Sequence, residues 1–260
     1  MGQHFLARLS ILTRIAEAAC GESSRNGATN GSAPVIIEIG PGKGALTKSL
    51  LGLASHVIAI ELDSVLVHYL RQTFCEEIEA GKLELIEGDV LNVVLLPLQS
   101  KPVIAGNLPY YITSPILEWV FALRGSWERA VFLVQAEVAE RVTAKPGTRD
   151  FGYLSVLAQV HSHTELLFHV PREAFRPPPK VESAVIRLTP RDAAVDFGIT
   201  DIPGFLRFAQ NCFRQKRKTL RNNLLPVYGP DRVEALPEAK MRAEQLGLTD
   251  LAAIYGKLSR

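Results

Sequence analysis

Short apolar runs alternate with glycine-rich or polar segments through the first half of the chain. Strand-forming runs lie at Val35–Ile37, His56–Ile60, Leu83–Ile86 and Val103–Gly106. After the first of these runs, Ala45–Leu51 has the residue types and spacing of a helix. This alternation predicts a parallel sheet of the α/β class, in which the carboxyl ends of the strands share one edge.

Further apolar patterns extend the predicted sheet. Residues 9–20 have an apolar face at helical spacing, and Ala130–Gln135 predicts a fifth strand. Glu165–Val170 and Ala184–Leu188 predict an antiparallel pair, with the proline-rich loop Phe175–Val181 between them. We expect this late pair to close one edge of the sheet.

The last part of the chain has a different pattern. From about Pro203 onward, apolar residues recur at helical spacing. We therefore predict a Rossmann-like α/β domain over residues 1–195 and a small all-helical domain over residues 196–260. Gly21–Ser32 is rich in Gly, Ser and Asn, and we expect it to form a surface loop.

A glycine-rich turn, Glu38–Gly44, directly follows the first predicted strand. It lacks the spacing of a phosphate-binding P-loop, because Gly42-Lys43 is followed by Gly44 and not by Ser or Thr. A dinucleotide site prefers G-x-G-x-x-G, and the carboxylate of Glu38 would repel a pyrophosphate. The same carboxylate favours a ligand with an amino or sulfonium group. The pattern therefore favours S-adenosylmethionine over a dinucleotide, and a purely structural glycine turn is the remaining alternative.

Acidic residues follow the second and third predicted strands. An acidic residue roughly 20 positions past a glycine turn is the usual partner of ribose hydroxyls, and Glu61 has this position. Asp89 follows the third strand in the same way. Ligands of open α/β folds bind at the carboxyl ends of the strands. We therefore expect Gly40, Glu61 and Asp89 to line one cofactor site.

The fourth predicted strand runs into Asn107-Leu108-Pro109-Tyr110. The amide oxygen of Asn107 and a backbone carbonyl can accept the two N–H bonds of a flat exocyclic amine, while the ring of Tyr110 stacks on the base. The structural alternative is a strand that ends in an Asn-Pro turn with a core tyrosine. The glycine turn upstream favours the binding interpretation, because both segments are expected at one sheet edge.

The net charge of +2 hides a local excess of positive charge. No acidic residue lies between Asp201 and Asp231. The basic residues in that interval are Arg207, Arg214, Lys216, Arg217, Lys218 and Arg221. Balancing acids normally accompany a solvated helix face, so this segment predicts a surface that contacts the phosphates of structured RNA. Arg172, Arg176 and Lys180 add positive charge beside the proline-rich loop.

Composition bounds the remaining possibilities. With 47% hydrophobic residues, the chain can bury a full core. Cys20, Cys75 and Cys212 show neither C-x-x-C pairing nor metal-ligand spacing, so we expect reduced thiols and no metal site. The apolar stretch Leu50–Ile60 is too short to cross a membrane, and the N-terminus lacks the pattern of a signal peptide. These features predict a cytoplasmic protein without a membrane segment.

In its motifs and their order, the chain resembles the bacterial small-subunit ribosomal RNA adenine dimethyltransferases, relatives of the erythromycin-resistance rRNA methylases. The segments that carry the resemblance are Gly2–Leu6, Glu38–Gly44, Glu61–Asp63, Gly88–Val90, Asn107–Tyr111, Gln135–Arg141, Phe151–Val156, Phe175–Ser183 and Phe213–Leu224. The resemblance covers nearly all 260 residues. It implies a class I S-adenosylmethionine methyltransferase fold followed by a helical RNA-binding domain.

The resemblance also implies an activity and a partner. The activity is N6,N6-dimethylation of two adjacent adenosines in a hairpin loop near the 3′ end of small-subunit (16S) rRNA. The partner would be this rRNA within a 30S particle or its precursor, and the protein would act as a monomer.

The same resemblance implies roles for single residues at the cofactor. His4 and Leu6 would belong to an N-terminal segment that folds over S-adenosylmethionine. Gly40 would approach the methionine end, Glu61 would bind the ribose hydroxyls, and Asp89 would accept from the adenine amine.

At the reaction centre, Asn107 would lie nearest the methyl group and contact the cofactor. Tyr110 would stack on the target adenine, with Phe175 as the second face of the sandwich. Three other functions remain open: a methylase of large-subunit rRNA, a non-catalytic assembly factor and a nicotinamide dehydrogenase. The intact Asn107–Tyr110 motif argues against a purely structural role, and Glu38 disfavours the dehydrogenase.

Overall fold

The computed structural model describes most of the chain. The described residues are 4–21, 33–93, 98, 100–123 and 125–259. Gly2 and Gln3 of the N-terminal motif lie outside the described residues, as does all of the predicted Gly21–Ser32 loop except Gly21.

The chain divides into two compact units. The first unit contains Met1–Ala139 and Glu165–Pro190, and the second contains Glu140–Thr164 and Arg191–Arg260. The predicted boundary near residue 195 is therefore close to the change at residue 190. The prediction is wrong for residues 140–164, which belong with the helical unit. The reason is that apolar side chains of this segment are part of the core of the second unit.

The strands lie mostly where the apolar runs predict them. In chain order they are β1 (Phe5–Leu6), β2 (Val35–Ile39), β3 (His56–Glu61), β4 (Leu83–Glu87), β5 (Val103–Asn107), β6 (Arg129–Gln135), β7 (Ser162–Val170), β8 (Phe175–Arg176) and β9 (Ser183–Pro190). The helices are α1 (Leu9–Cys20), α2 (Ala45–Leu51), α3 (Ser64–Thr73), α4 (Cys75–Glu79), α5 (Thr113–Ala122), α6 (Ala136–Thr143), α7 (Tyr153–His161), α8 (Ala193–Phe197), α9 (Ile202–Cys212), α10 (Leu220–Tyr228), α11 (Pro230–Glu234) and α12 (Leu248–Leu258).

A seven-stranded sheet with the order β4-β3-β2-β5-β6-β9-β7 forms the centre of the fold. The pairs from β4 through β6 are parallel, and β9 is antiparallel to β6. The predicted parallel sheet is confirmed, and the late strands β9 and β7 extend it at one edge, as expected. The order reverses at β2, which has β3 on one side and β5 on the other. Such a reversal opens a crevice at the carboxyl ends of the strands.

Close packing of the two central strands at the crevice depends on a glycine. A Cβ at Gly106 of β5 would lie 2.6 Å from the carbonyl oxygen of Ile39 in β2. Residues of β2 such as Ile36 and Ile37 are fully buried, as expected for a strand covered on both faces. The sheet therefore provides a rigid base for the loops that follow β2 and β5.

The N-terminal segment pairs with the start of the proline-rich loop. Phe5 lies opposite Arg176, and Leu6 lies opposite Phe175 in an antiparallel pair. The N–H of Ala7 donates to the carbonyl of Ala174 at 2.8 Å. These bonds hold the N-terminal segment against a part of the chain that is remote in sequence.

The second unit is helical, as predicted for the tail. Its buried core includes Phe151, Phe205, Phe208 and Leu251. Asp201 begins α9 by accepting from the N–H of Gly204 at 2.9 Å, which satisfies a free amide of the first turn. None of the described helices is both long and apolar enough to cross a membrane. The three cysteines are free thiols.

Candidate functional site

A cavity of about 860 Å³ opens where β2, β3, β4 and β5 end, in the first unit. Of the site residues predicted from the sequence, those that line it are His4, Leu6, Gly40, Glu61, Asp89, Asn107 and Tyr110. Their convergence follows from topology, because parallel strands present their carboxyl ends at one edge. Phe175 does not line this cavity.

The glycine turn after β2 leaves one wall of the cavity open. Gly40 has φ +66° and a Cβ there would meet nothing within 4 Å, so a ligand can approach its backbone. Gly44 has φ +78° and a different role, because a Cβ there would lie 2.3 Å from the ring of Phe74. The first glycine provides space for a ligand, and the second allows helix α2 to pack closely.

Glu38, at the end of β2, is a buried carboxylate that lines the cavity. It is 1% exposed, and its Oε2 has no hydrogen-bond partner among the described residues. Its pKa is raised to about 7, mainly because burial disfavours the charged form; the Thr47 hydroxyl acts to lower the pKa and the charge of Glu61 to raise it. A buried carboxylate with an unpartnered oxygen in this place suits a positively charged group of a ligand.

Glu61 is held by backbone groups on both sides. Its Oε2 accepts from the N–H of Gly42 at 3.0 Å, and its Oε1 accepts from the N–H of Asp63 at 3.0 Å. Each carboxylate oxygen has a second lone pair, so both can still accept from ligand hydroxyls. The bond to Gly42 also ties the glycine turn to the end of β3.

Asp89 is fixed in a similar way at the end of β4. Its Oδ1 accepts from the N–H of Leu91 at 3.0 Å, and its Oδ2 accepts from the side-chain amide of Asn92 at 3.2 Å. The half-buried carboxylate thus keeps one orientation and retains free acceptor capacity.

Asn107 ends β5 with its amide oriented by the N-terminal segment. Its Nδ2 donates to the carbonyl oxygen of His4 at 3.4 Å. This bond uses an N–H of the amide and leaves Oδ1 as the acceptor. An amide oxygen held in this way can accept from an amine bound in the cavity.

Tyr110 is anchored by a hydrogen bond at its hydroxyl, and the ring of His4 lies nearby. The hydroxyl and Ser183 Oγ are 2.8 Å apart, and burial raises the pKa of the phenol. The His4 ring lies beside it, with ring centroids 6.4 Å apart and an angle of 26° between the planes. His4 Nδ1 in turn donates to the carbonyl of Pro177 at 2.8 Å.

The expectation that Phe175 forms the second aromatic face is wrong for this structure. Phe175 is 1% exposed and lies in the apolar core together with Leu6, its partner in the β1–β8 pair. The strand pairing turns both side chains into the core. The ring found beside Tyr110 is that of His4.

Two residues at the site were not singled out from the sequence. Ser183, fully buried, bonds the Tyr110 hydroxyl from 73 positions away, and no local spacing indicates such a contact. Tyr111 is 65% exposed and lines the cavity. Its position in the Asn-Leu-Pro-Tyr-Tyr sequence was the available signal.

The six basic residues from Arg207 to Arg221, which we call the basic segment, are all exposed, but they are not equivalent. Arg221 Nη2 pairs with Glu234 Oε1 at 2.5 Å, so an acid just beyond the basic segment does balance one cation. Lys216 donates to the carbonyl of Arg149. The described residues contain no group of three or more His, Cys, Asp or Glu side chains that could hold a metal ion.

Comparison with protein families gives one match over almost the whole chain. The model of the family described as "Ribosomal RNA adenine dimethylase" matches residues 1–256. A "Ribosomal RNA small subunit methyltransferase A" of Acidobacterium capsulatum is 43% identical, over 99% of this chain and 90% of the relative. The protein of the same name from Chlorobaculum parvum is 39% identical, over 100% of this chain and 88% of the relative.

Two solved structures share the fold over nearly the full length. A dimethyladenosine transferase from Plasmodium falciparum has a TM-score of 0.79 and 26% identity, and the match covers 96% of each chain. The 23S rRNA methyltransferase ErmE has a TM-score of 0.73 and 25% identity, over 98% of this chain and 100% of the other. The fold is therefore that of class I S-adenosylmethionine methyltransferases.

Proposed function

The chain belongs to the ribosomal RNA adenine dimethylase family, and from this membership we propose its substrate and the roles of its site residues. It is an S-adenosylmethionine-dependent rRNA adenine dimethyltransferase. We assign to it the N6,N6-dimethylation of two adjacent adenosines in a hairpin loop near the 3′ end of small-subunit rRNA. The two relatives above that are named for the small subunit are 43% and 39% identical, whereas the one named for 23S rRNA is 25% identical.

The residues of the cavity fit S-adenosylmethionine. The volume of about 860 Å³ is in the range of small-molecule sites. Glu38 offers an unpartnered buried carboxylate to the cationic methionine end, which passes the open backbone at Gly40. Glu61 binds the ribose hydroxyls and Asp89 accepts from the adenine amine. When bound, the cofactor supplies a methyl group that its sulfonium makes electrophilic.

The N-terminal segment covers this site. His4 and Leu6 line the cavity; the β1–β8 pair holds Leu6, and the bond from His4 Nδ1 to the carbonyl of Pro177 holds His4. A cover of this kind excludes water from the reacting groups and keeps the cofactor in a single orientation.

Asn107 positions the target amine. Its Oδ1 accepts one N–H of adenine N6, and the carbonyl of Leu108 accepts the other. Both bonds favour a pyramidal, electron-rich nitrogen and the positive charge that develops on it. Most of the catalytic effect is then positioning. An amide is a weak base, so the proton of N6 passes to solvent after transfer.

Tyr110 stacks on the target adenine and holds its plane. A base inside a helical stack cannot reach a pocket at the end of a strand, so the target is flipped out or lies in a loop. The proposed hairpin substrate meets this requirement.

The second unit binds the RNA through phosphate contacts. Exposed Arg207, Arg214, Arg217 and Lys218 supply positive charge there. Such contacts contribute affinity without choosing the base. We place the reaction in the cytoplasm, on a 30S particle or its precursor, with one copy of the protein per particle. Three free thiols are compatible with that compartment.

The observation that carries this proposal is the placement of Asn107 and Tyr110 on the same cavity as Glu38, Gly40 and Glu61. The test is incubation with methyl-labelled S-adenosylmethionine and separated ribosomal subunits that lack the modification. We expect label in small-subunit rRNA, in dimethyladenosine at two adjacent positions. Label confined to the large subunit, or no label in either, would contradict the assignment.

A further inference from the structure

We propose that Ser183 is a positioning residue for methyl transfer: its hydroxyl holds the Tyr110 ring in the orientation needed to stack on the target adenine. This inference rests on the proposed function, in which Tyr110 stacks on the base. It assigns a role to a buried serine that does not line the cavity and does not touch the substrate.

The position of Ser183 is rigid. It is fully buried at the beginning of β9, and it lies opposite Gln135 in the antiparallel pair of β6 and β9. Immediately before it, the carbonyl of Glu182 accepts from the N–H of Ala136 at 3.0 Å. The sheet therefore fixes where its hydroxyl lies.

Tyr110 needs such an anchor because its backbone is fixed but its ring can rotate. The carbonyl of Pro109 accepts from the N–H of Ile112 and from Thr113 Oγ1, both at 3.2 Å, which fixes the turn. A tyrosine side chain still rotates about two bonds. The 2.8 Å bond from its hydroxyl to Ser183 Oγ ties down the far end of the ring.

The consequence for the reaction is geometric. Stacking requires the ring plane to match the plane of the base, and N6 must meet the methyl group within a narrow range of distance and angle. Without the anchor, the ring samples other orientations and fewer bound adenines are aligned. The loss should appear in the rate of transfer and leave cofactor affinity unchanged.

The test is a double-mutant cycle with Ser183→Ala, Tyr110→Phe and the double variant. Each single change removes the hydrogen bond, and Tyr110→Phe keeps the aromatic ring. We expect each to lower kcat roughly fivefold, the effect of one neutral hydrogen bond, with KM for RNA and the cofactor Kd within twofold. The double variant should be no slower than either single variant.

Ser162→Ala is the matched control. Ser162 is also fully buried in a strand, and its hydroxyl donates to the carbonyl of Ala158 at 2.8 Å. We expect Ser162→Ala to lose about as much stability as Ser183→Ala, because each loses one buried hydrogen bond, but to keep the kcat of the wild type. Thermal unfolding and cofactor binding establish that each variant is folded.

The outcomes separate this inference from the proposed function. If the wild type does not methylate adenosine N6, the proposed function fails. If the wild type is active but Tyr110→Phe retains full kcat, the anchoring role is wrong, whatever the behaviour of Ser183→Ala. Additive losses in the double variant would also overturn it, because they would mean that the two hydroxyls act separately.

Discussion

The cavity of the first unit and the basic segment of the second unit carry predicted functional residues in different ways. In the cavity, the side chains of Glu61, Asp89 and Asn107 are each tied to neighbouring groups by hydrogen bonds, so their orientations are set before any ligand binds. In the basic segment, cations such as Arg214 and Lys218 are exposed on the surface. Methyl transfer needs fixed geometry, whereas phosphate binding needs charge within reach.

The largest effect is expected from a substitution that disturbs the fixed geometry of the cavity. Replacement of Asn107 by Ala removes the acceptor that orients N6, and we expect kcat to fall about 10³-fold. Cofactor affinity should change by only a few-fold, since Glu38, Glu61 and Asp89 remain. Single-turnover transfer and calorimetry measure the two quantities. Asn107→Asp keeps an acceptor oxygen but loses the N–H that bonds His4, so its kcat should lie between those of the wild type and Asn107→Ala. Equal kcat of the wild type and Asn107→Ala would refute the role of Asn107 in orienting N6.

A second substitution tests whether cofactor binding depends on the fixed carboxylates. Loss of the ribose contacts in Glu61→Ala should weaken the cofactor about 10²-fold, because two hydrogen bonds to a charged group are lost. Glu87 is the matched control: it lies opposite Glu61 in the β3–β4 pair but is exposed and outside the cavity. Glu87→Ala should bind the cofactor as the wild type does. Similar losses in both variants would mean that net charge, and not the bound carboxylate, sets the affinity.

The raised pKa of Glu38 predicts that the stability of the fold depends on pH. Its pKa is about 7 in the folded chain against 4.5 as the reference value, so the folded state holds the proton more tightly. The contribution of Glu38 to the stability of the fold should therefore be greatest below pH 4.5 and should be lost as the pH rises through about 7. Glu38→Gln removes this loss, so at pH 8 the ligand-free variant should be more stable by about 3 kcal/mol.

Denaturant unfolding of both proteins between pH 5 and 8 measures the difference. A stability difference that does not change over this range would show that Glu38 titrates normally. In the same series, S-adenosylmethionine should stabilise the wild type more strongly as Glu38 ionises, because the charged carboxylate attracts the cationic cofactor.

The smallest effects are expected in the basic segment, where they should be graded. The triple replacement of Arg214, Arg217 and Lys218 by Ala should lower RNA affinity about tenfold and reduce the salt dependence of binding. Transfer at saturating RNA should keep its rate. Arg221→Ala should change affinity less, because Arg221 already pairs with Glu234. Fluorescence anisotropy at several salt concentrations measures the RNA affinity and its salt dependence for each variant. If the logarithm of affinity falls with the logarithm of salt concentration as steeply in the triple variant as in the wild type, these residues do not contact phosphates.

The sequence predicts the sheet and most of the cavity because both follow from local patterns. Apolar runs mark the strands, and parallel topology then brings their ends together. Gly40, Glu61, Asp89 and Asn107 could therefore be placed at one edge without knowledge of any long-range contact. Their positions on the cavity confirm that inference.

What the sequence could not predict depends on contacts between distant segments. Nothing local in residues 140–164 shows that this segment packs with the helices of the second unit rather than with the sheet. The sequence around Phe175 fits a phenylalanine in the core as well as one exposed to a ligand. Its pairing with Leu6, which is remote in sequence, decides for the core. The bond from Tyr110 to Ser183 likewise depends on how β9 meets β6.

The proposed roles of Asn107 and Tyr110 are best tested by a structure of the protein with S-adenosylhomocysteine and a short RNA hairpin that contains the target adenosines. We expect a flipped adenine stacked on Tyr110, with N6 at hydrogen-bond distance, about 3 Å, from Asn107 Oδ1. We also expect the ribose hydroxyls of the cofactor on Glu61. An adenine bound elsewhere, with Asn107 and Tyr110 contacting neither ligand, would contradict these roles.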